Sequence, residues 1–431
     1  MIVPSVDILG GRAVQLVGGK PEAPGSLDLG DPMALAESLS VAGEIAIVDL
    51  DAALGRGDNE VVISKIVARV RARVGGGVRS VEKATRLLDA GATKVIVGTA
   101  ATPEFLSQLP KERLIAALDE SGGRVVTHGW QQQSELTVEQ GMARLAPHVA
   151  GFLVTSVDRE GREQGFDQSL LQRLARYREL DVTVAGGITS AAEIRVADQH
   201  GFAAQVGMAF HTGKLLLADA IAAPLKPSDR PDGLWPTVVV DVHGVALGLA
   251  YSNRESLRKA VELRRGVYWS RQRGLWIKGE GSGDVQDLVG IALDCDRDTL
   301  RFTVRQHGRG FCHEGSGTCF GEQQGLVAEE RRVAERRKSL ESGGPSSGSY
   351  THRLLKDAEL LRSKLIEEVG ELADATSAEH AAEEFADVVY FSLVTLLQSG
   401  GSLEDVERIL EIRARRVTRR PGDAKPSQEE P

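Results

Sequence analysis

Over its first 225 residues the chain alternates short apolar, β-branched runs with amphipathic stretches, and few folds satisfy that alternation. IAIVDLD (45–51), RVGGGVRS (73–80), KVIVGTA (94–100), LIAALD (114–119), GFLVTS (151–156), DVTVAGG (181–187) and AAQVGMA (203–209) read as strand ends. Stretches with helical spacing separate them, so the unit is βα, and about eight units fill an α/β barrel of the TIM type. The two halves also look like copies. Asp7, Gly77 and Gly98 recur as Asp119, Gly187 and Gly207 about 110 residues later. Each half then offers one carboxylate at a strand end and one glycine-rich turn. Backbone amides near Gly77, Gly98 and Thr99 can hold one phosphate, and those near Gly187 and Gly207 another, with the aspartates between them. A glycine at a tight βα turn is commonly structural. The duplicated constellation is what points to a ligand with two phosphates.

PSVDILGGRAVQLVGG, VDLDAALGR, VGGGVRS, VGTAA, LDESGGRVVTHGW and TSVDREG resemble phosphoribosylformimino-aminoimidazole carboxamide ribotide isomerases over nearly this whole segment. The resemblance implies an Amadori rearrangement, with Asp119 as the general acid that opens the ribose and Asp7 as the base that takes the C2 proton. Gly77, Arg79, Gly98, Thr99, Trp130, Gly187 and Gly207 are the implied substrate and phosphate contacts. Two places depart from the family pattern. Gln15 stands where an arginine is usual, followed by the loop GGKPEAPGSLDLGDP, and DREGREQGFD is closer to imidazole glycerol phosphate synthase, a related cyclase.

All three cysteines fall between Leu293 and Phe320. Cys295 lies among Asp294, Asp296 and Asp298, and Cys312 and Cys319 follow a run that alternates like a strand. Three thiolates with a fourth position open suit zinc that activates water. On an extended segment the three aspartates share one face opposite Cys295, and hard oxygens suit magnesium. A disulfide with one cysteine left over, or a strand edge rich in aspartate, are the plainer readings. YWSRQRGLWIKGEGSG, LDCDRD and FCHEGSGTCF resemble phosphoribosyl-AMP cyclohydrolases over about a hundred residues. The resemblance implies Zn2+ on Cys295, Cys312 and Cys319, Mg2+ on Asp294, Asp296 and Asp298, His313 as catalytic acid or base, and Arg271 and Lys278 as substrate contacts. The reaction would be attack of water on C6 of the adenine ring.

From Tyr350 the pattern turns helical. RLLKDAELLRSKLIEEVGELADA places Lys364, Glu368 and Glu371 on one face, and AAEEFADVVYFSLVTLLQ does the same with Glu384 and Asp387 ahead of an apolar run. Acidic pairs on adjacent helices can share magnesium, although a charged helix face is usually only solvated. SYTHRLLKD, KLIEEVGE, EEFADVVYF and VTRRPGDAK resemble phosphoribosyl-ATP pyrophosphohydrolases of the all-α type. Glu367, Glu368, Glu371, Glu384 and Asp387 are then the candidate Mg2+ ligands and catalytic carboxylates. Arg413, Arg415, Arg416, Arg419 and Arg420 form a basic tail suited to a triphosphate or simply to solvent.

The expected organisation is a barrel at 1–225, a β-rich α+β metal-binding domain at 226–333, a linker at 334–349 and an all-α domain at 350–431. Two Pro, Gly and Ser-rich stretches, near 223–233 and 339–349, read as linkers. A net charge of −9 argues against general nucleic-acid binding, and no apolar run approaches the length of a membrane span. The expectation is a cytoplasmic, homodimeric enzyme acting on phosphoribosyl-ATP, phosphoribosyl-AMP and the aminoaldose ProFAR. The alternative is a bifunctional hydrolase whose barrel is structural or regulatory.

Overall fold

The computed structural model describes residues 1–17, 26–127, 130, 132–162, 165–321, 323–343 and 349–418. The chain divides into two compact units. The first contains Met1–Asp241, Leu249–Gly308 and the described residues from Ile412 onward, and the second contains Val242–Gly248 and Arg309–Glu411. The division cuts the expected central segment between Gly308 and Arg309.

Eight parallel strands close the barrel of the first unit: β1 (Ile2–Leu9), β2 (Ile45–Asp49), β3 (Ala72–Gly75), β4 (Val95–Val97), β5 (Leu114–Ser121), β6 (Gly151–Ser156), β7 (Asp181–Ala185) and β8 (Ala203–Val206). Each pairs with the next, and β8 returns to β1 through Ile2↔Ala204, Val3↔Gln205 and Pro4↔Val206. Strands covered on both faces need nearly continuous apolar sequence, which is what the seven runs provide. Ile96, Ile115, Leu153 and Ala185, from four neighbouring strands, pack together with Ala117.

The strand N-termini carry a polar plug. Arg73 on β3 is almost fully buried; its guanidinium ion-pairs with Glu44 and reaches Thr183 Oγ1 on β7 at 2.8 Å. Lys94 pairs with Asp181 beside it. A charge this deep is tolerated only when paired and hydrogen-bonded, and the plug leaves the opposite end of the barrel for ligands. At that end the two halves repeat in detail. Ser80 caps α1 (Val81–Ala90) by accepting from the Lys83 N–H, and Ser190 caps α2 (Ala191–Gln199) by accepting from the Glu193 N–H.

The same unit continues into a sheet built from β9 (Trp235–Asp241), β10 (Ala246–Ser252, in this unit from Leu249), β13 (Gln286–Leu293) and β14 (Leu300–Gln306), with a hairpin of β11 (Val267–Ser270) and β12 (Gly274–Ile277). β9 runs parallel to β14, and β13 antiparallel to it. The Pro-rich stretch near 223–233 behaves otherwise than the linker expected there. Its backbone is held by side chains: Arg195 donates to the Ala223 carbonyl at 2.8 Å, Trp235 Nε1 to the Lys226 carbonyl at 2.8 Å, and Ser228 Oγ to the Leu234 carbonyl at 2.7 Å. Arg264, just after α3 (Arg254–Leu263), donates to the Glu37 and Ser38 carbonyls of the barrel.

The second unit is helical: α4 (Gly325–Glu341), α5 (Tyr350–Lys356), α6 (Ala358–Asp374), α7 (Ala378–Gln398) and most of α8 (Leu403–Arg415). Val333, Leu354, Leu361, Phe391, Val394 and Leu397 form its core. The expected linker at 334–349 begins inside α4, because VAEERRVAERRKSLE is composed of helix formers with ion pairs Arg331–Glu335 and Arg337–Glu341 at i, i+4. Residues 344–348 lie outside the described residues. No helix among the described residues is long and apolar enough to cross a membrane.

Candidate active sites

The barrel opens at its strand C-termini into a cavity of about 400 Å³. Asp7, Gly77, Arg79, Gly98, Thr99, Asp119 and Trp130 all line it. Asp7 and Asp119 occupy equivalent positions. Each sits near the end of a strand that turns back as a hairpin, Asp7 opposite Val14 and Asp119 opposite Val126. The glycine turns are equivalent too. A Cβ on Gly76 (φ +92°) would lie 2.2 Å from the Asp49 carbonyl oxygen, and one on Gly186 (φ +98°) 2.4 Å from that of Ser156. Gly77 and Gly187 follow at φ +63° and +81°. Left-handed backbone pressed against a neighbouring main chain admits only glycine. Gly187 and Gly207 line a second, smaller recess of about 30 Å³ with Ser5 and Gly186. Gln15 is buried, and its Oε1 with Ser5 Oγ would each lie 2.7 Å from a Cβ on Gly207. The loop that follows Gln15 falls largely outside the described residues.

Burial sets the electrostatics. It raises Asp7 to about 7, far above the ordinary carboxylate range. Asp119 is also raised by burial, opposed by hydrogen bonds from Trp130 and Thr155. The Trp130 indole donates to Asp119 Oδ2 at 2.9 Å. Arg79 lines the cavity while its guanidinium donates to the Ala53 carbonyl at 2.9 Å, which ties down the turn after β2. The sequence reading missed Glu160. It lines both the cavity and the second recess, and burial, then the charges of Asp7 and Asp119, raise it to about 7. Its place in DREGREQGFD, the loop singled out as atypical, was the available signal.

In the sheet region Asp294, Asp296 and Asp298 offer oxygens that all lie within 4.8 Å of one another. They converge by a different route from the one expected. Residues 294–299 form a turn between β13 and β14 rather than extended strand, with Arg297 at φ +66°. Asp294 Oδ1 accepts from the Asp298 and Thr299 N–H groups at 3.0 and 3.1 Å, which closes the turn. Three hard oxygens so close together fit a divalent cation. Cys295 is exposed on this turn. Lys278 is buried and donates to the Asp284 carbonyl at 3.3 Å, and the Arg271 guanidinium stacks 4.9 Å from the centre of the Tyr251 ring.

In the second unit Cys312 is buried and Cys319 exposed. The Glu314 backbone N–H, the Ser316 hydroxyl and Cys319 together draw the Cys312 thiol below its usual range. Thiolate character is what a zinc ligand needs. His313 Nδ1 lies 4.0 Å from Cys312 Sγ.

On α6 and α7 the oxygens of Glu368, Glu371 and Glu384 come within 4.8 Å of one another. Burial and the adjacent Glu371 push Glu384 upward, and its Oε2 is buried without a hydrogen-bond partner. An orphaned buried carboxylate oxygen beside two others fits a bound cation. Glu367 instead faces Lys364, which bridges Glu367 and Glu368 at 2.9 and 2.7 Å, and Asp387 is exposed one turn beyond Glu384. The Val417 and Thr418 N–H groups at the start of the basic tail donate to Asp89 of α1, and Arg113 donates to the Arg415 carbonyl. Arg419 and Arg420 lie outside the described residues.

Residues 1–216 match the family described as histidine biosynthesis protein, 248–321 the phosphoribosyl-AMP cyclohydrolase family, and 339–414 the phosphoribosyl-ATP pyrophosphohydrolase family. A histidine biosynthesis trifunctional protein of Neurospora crassa is 37% identical over 353 residues, covering 80% of this chain and 37% of that protein. A histidine biosynthesis bifunctional protein of Schizosaccharomyces pombe is 48% identical over 212 residues, 49% of each chain. An imidazole-4-carboxamide isomerase of Gemmatimonas aurantiaca is 41% identical over 225 residues, covering 49% of this chain and 94% of that enzyme. The chain thus spans half or less of the length of these two fungal relatives.

Proposed function

The chain belongs to the histidine biosynthesis protein family, and we propose that it is a multifunctional enzyme of that pathway. It would remove pyrophosphate from phosphoribosyl-ATP, open the adenine ring of phosphoribosyl-AMP, and isomerise the resulting aminoaldose, ProFAR, to the aminoketose. The observation that carries the reading is the barrel cavity, where two half-buried carboxylates from equivalent strands lie between two equivalent glycine turns. A sugar rearrangement needs one group to give a proton and one to take one, and a ligand with a phosphate at each end is gripped from both sides. Asp119, held by Trp130, protonates the ribose ring oxygen, and Asp7 removes the C2 proton.

Glu368, Glu371 and Glu384 would hold magnesium, with Glu367 and Asp387 as further carboxylates of that site. Such a cation, when bound, neutralises charge on the polyphosphate chain. Lys364 orients Glu368, and Glu384 turns its buried oxygen toward the same cluster. Cys312 and Cys319 would be zinc ligands, and Cys295 completes the set on the sequence resemblance alone. Zinc so held supplies Lewis acidity toward water. Asp294, Asp296 and Asp298 would hold magnesium, with His313 moving the proton and Arg271 and Lys278 binding substrate. Exposed Ile366 and Val369 on α6 and Phe385 on α7 support a homodimer. A cytoplasmic location, with small-molecule substrates and neither nucleic acid nor membrane as partner, completes the proposal.

The test is product analysis. Purified protein given phosphoribosyl-ATP, with magnesium and zinc, should release pyrophosphate and carry the nucleotide through to the aminoketose. If the wild type stops at the aminoaldose, the barrel is a scaffold and the enzyme is bifunctional.

A further inference from the structure

We propose that Asp198, on a barrel helix, is a positioning residue for the metal-binding turn at Asp294–Asp298. The inference rests on the reading of that turn as a divalent-cation site.

Asp198 lies in the last turn of α2, where a carboxylate faces the negative end of the helix dipole and gives the helix nothing. Its partner explains it. Arg297 Nη2 donates to Asp198 Oδ1 at 3.1 Å and Nε to Oδ2 at 3.2 Å, a two-pronged pair that fixes the guanidinium plane. The Met1 amino group shares Oδ1 at 2.6 Å. The remaining arm, Arg297 Nη1, donates to the Asp294 carbonyl at 2.8 Å. The Arg297 carbonyl in turn accepts from the Lys226 N–H at 2.8 Å, in the Pro-rich stretch that follows the barrel. Arginine is a poor choice for φ +66°, a conformation that glycine or asparagine adopts more readily. The turn therefore keeps a residue its backbone disfavours, and the side chain supplies the reason: it ties the three-aspartate turn to Asp198 of a barrel helix, while the Arg297 carbonyl is held by Lys226 just after the barrel. Both anchors lie outside the sheet that carries the ligands. The barrel thus fixes the spacing of Asp294, Asp296 and Asp298 whether or not it is itself turning over substrate. Groups that orient metal ligands without touching the metal typically change affinity by roughly 10–100-fold when removed.

The experiment titrates Mn2+ alone into the substrate-free protein with all 431 residues present, followed by electron paramagnetic resonance. Glu371→Gln and Glu384→Gln are present throughout to silence the helical site. Asp198→Asn should weaken Mn2+ binding about tenfold, Arg297→Asn should do the same while relieving the left-handed backbone, and Asp198→Glu should restore part of the affinity. The unfolding midpoint and the isomerisation rate should stay near those of the parent. Unchanged Mn2+ affinity in both variants overturns the proposal. So does a loss accompanied in both by a collapse of cooperative unfolding, which marks a purely structural tie. Asp296→Asn is the control: if it too leaves Mn2+ binding unchanged, the cation reading of the turn fails and takes the proposal with it.

Discussion

The Trp130 indole N–H and Asp119 Oδ2 are 2.9 Å apart, and this bond pulls against burial, which holds the carboxyl above its ordinary range. Phenylalanine at Trp130 removes the donor and keeps the apolar bulk. Since the indole favours the ionised carboxylate, its loss raises Asp119 further. A general acid acts when protonated, so the alkaline limb of the isomerisation profile should move to higher pH. The rate should nevertheless fall roughly 10–100-fold, the value of one hydrogen bond to a charged group that also orients the acid. An alkaline limb that stays in place in Trp130→Phe would show that Asp119 is not the titrating acid.

Asp7 supplies the opposite limb. Burial raises it to about 7, and a base acts only when ionised, so isomerisation should decline as pH falls through about 7. Asp7→Asn should abolish isomerisation and accumulate the aminoaldose, with pyrophosphate release and ring opening unaffected. Chromatography of products from phosphoribosyl-ATP reads all three steps at once.

Glu160 carries a stability consequence. Its folded value of about 7 lies above the ordinary 4.5, so the native state keeps a proton that the unfolded chain has released. Its contribution is therefore fully present below about pH 4.5 and is lost as pH rises to about 7. The loss is on the order of 3 kcal/mol, taken from the size of the shift. Glu160→Gln removes that dependence. Urea unfolding at pH 5 and pH 8 should show the variant gaining on the wild type at the higher pH, and an equal difference at both would refute the assignment.

These three residues also mark where sequence is informative. Asp7 and Asp119 were legible because duplication repeats them at nearly the spacing of the glycine turns, and Gly77 and Gly187 because only glycine survives where they sit. Glu160 has no equivalent in the first half and no period around it; it matters only because the fold brings it, half-buried, into the cavity with two other carboxylates. The aspartate turn was misread for the converse reason. LDCDRD alternates like a strand, and nothing about Arg297 announces a left-handed backbone or its contacts with the distant Asp198 and Lys226. On α6 and α7 helical spacing named Glu368, Glu371 and Glu384 among its candidates, but it could not tell that Glu367 turns to Lys364, that Asp387 stays exposed or that Glu384 turns inward.

The buried oxygen of Glu384 makes the helical cluster testable apart from the barrel. Glu371→Gln removes a charge that any shared cation would need, so pyrophosphate release should fall roughly a hundredfold or more, with ring opening of supplied phosphoribosyl-AMP retained. Chelation followed by magnesium addition should restore the wild type and not the variant. Full pyrophosphate release by Glu371→Gln would reduce the cluster to solvated helix surface.

The glycines separate shape from binding. Alanine at Gly76 or Gly186 would place a Cβ 2.2 or 2.4 Å from a main-chain carbonyl oxygen in a left-handed conformation, and neither carbonyl is free to move because each belongs to the end of a barrel strand. Each substitution should cost roughly 2–4 kcal/mol, as strain and clash add. Gly98 differs: its φ is not left-handed, and a Cβ there meets only Ala117 Cβ at 4.0 Å. Gly98→Ala should therefore fold normally, and whatever it changes must come from the added methyl group in the cavity. If Gly98 cradles a phosphate, KM for the aminoaldose should rise about tenfold with the unfolding midpoint unmoved, because a methyl group keeps the phosphate off the backbone amides. A normal KM in Gly98→Ala would leave the first turn as architecture, and the phosphate would have to be held by Gly77, Arg79 and Thr99 without it.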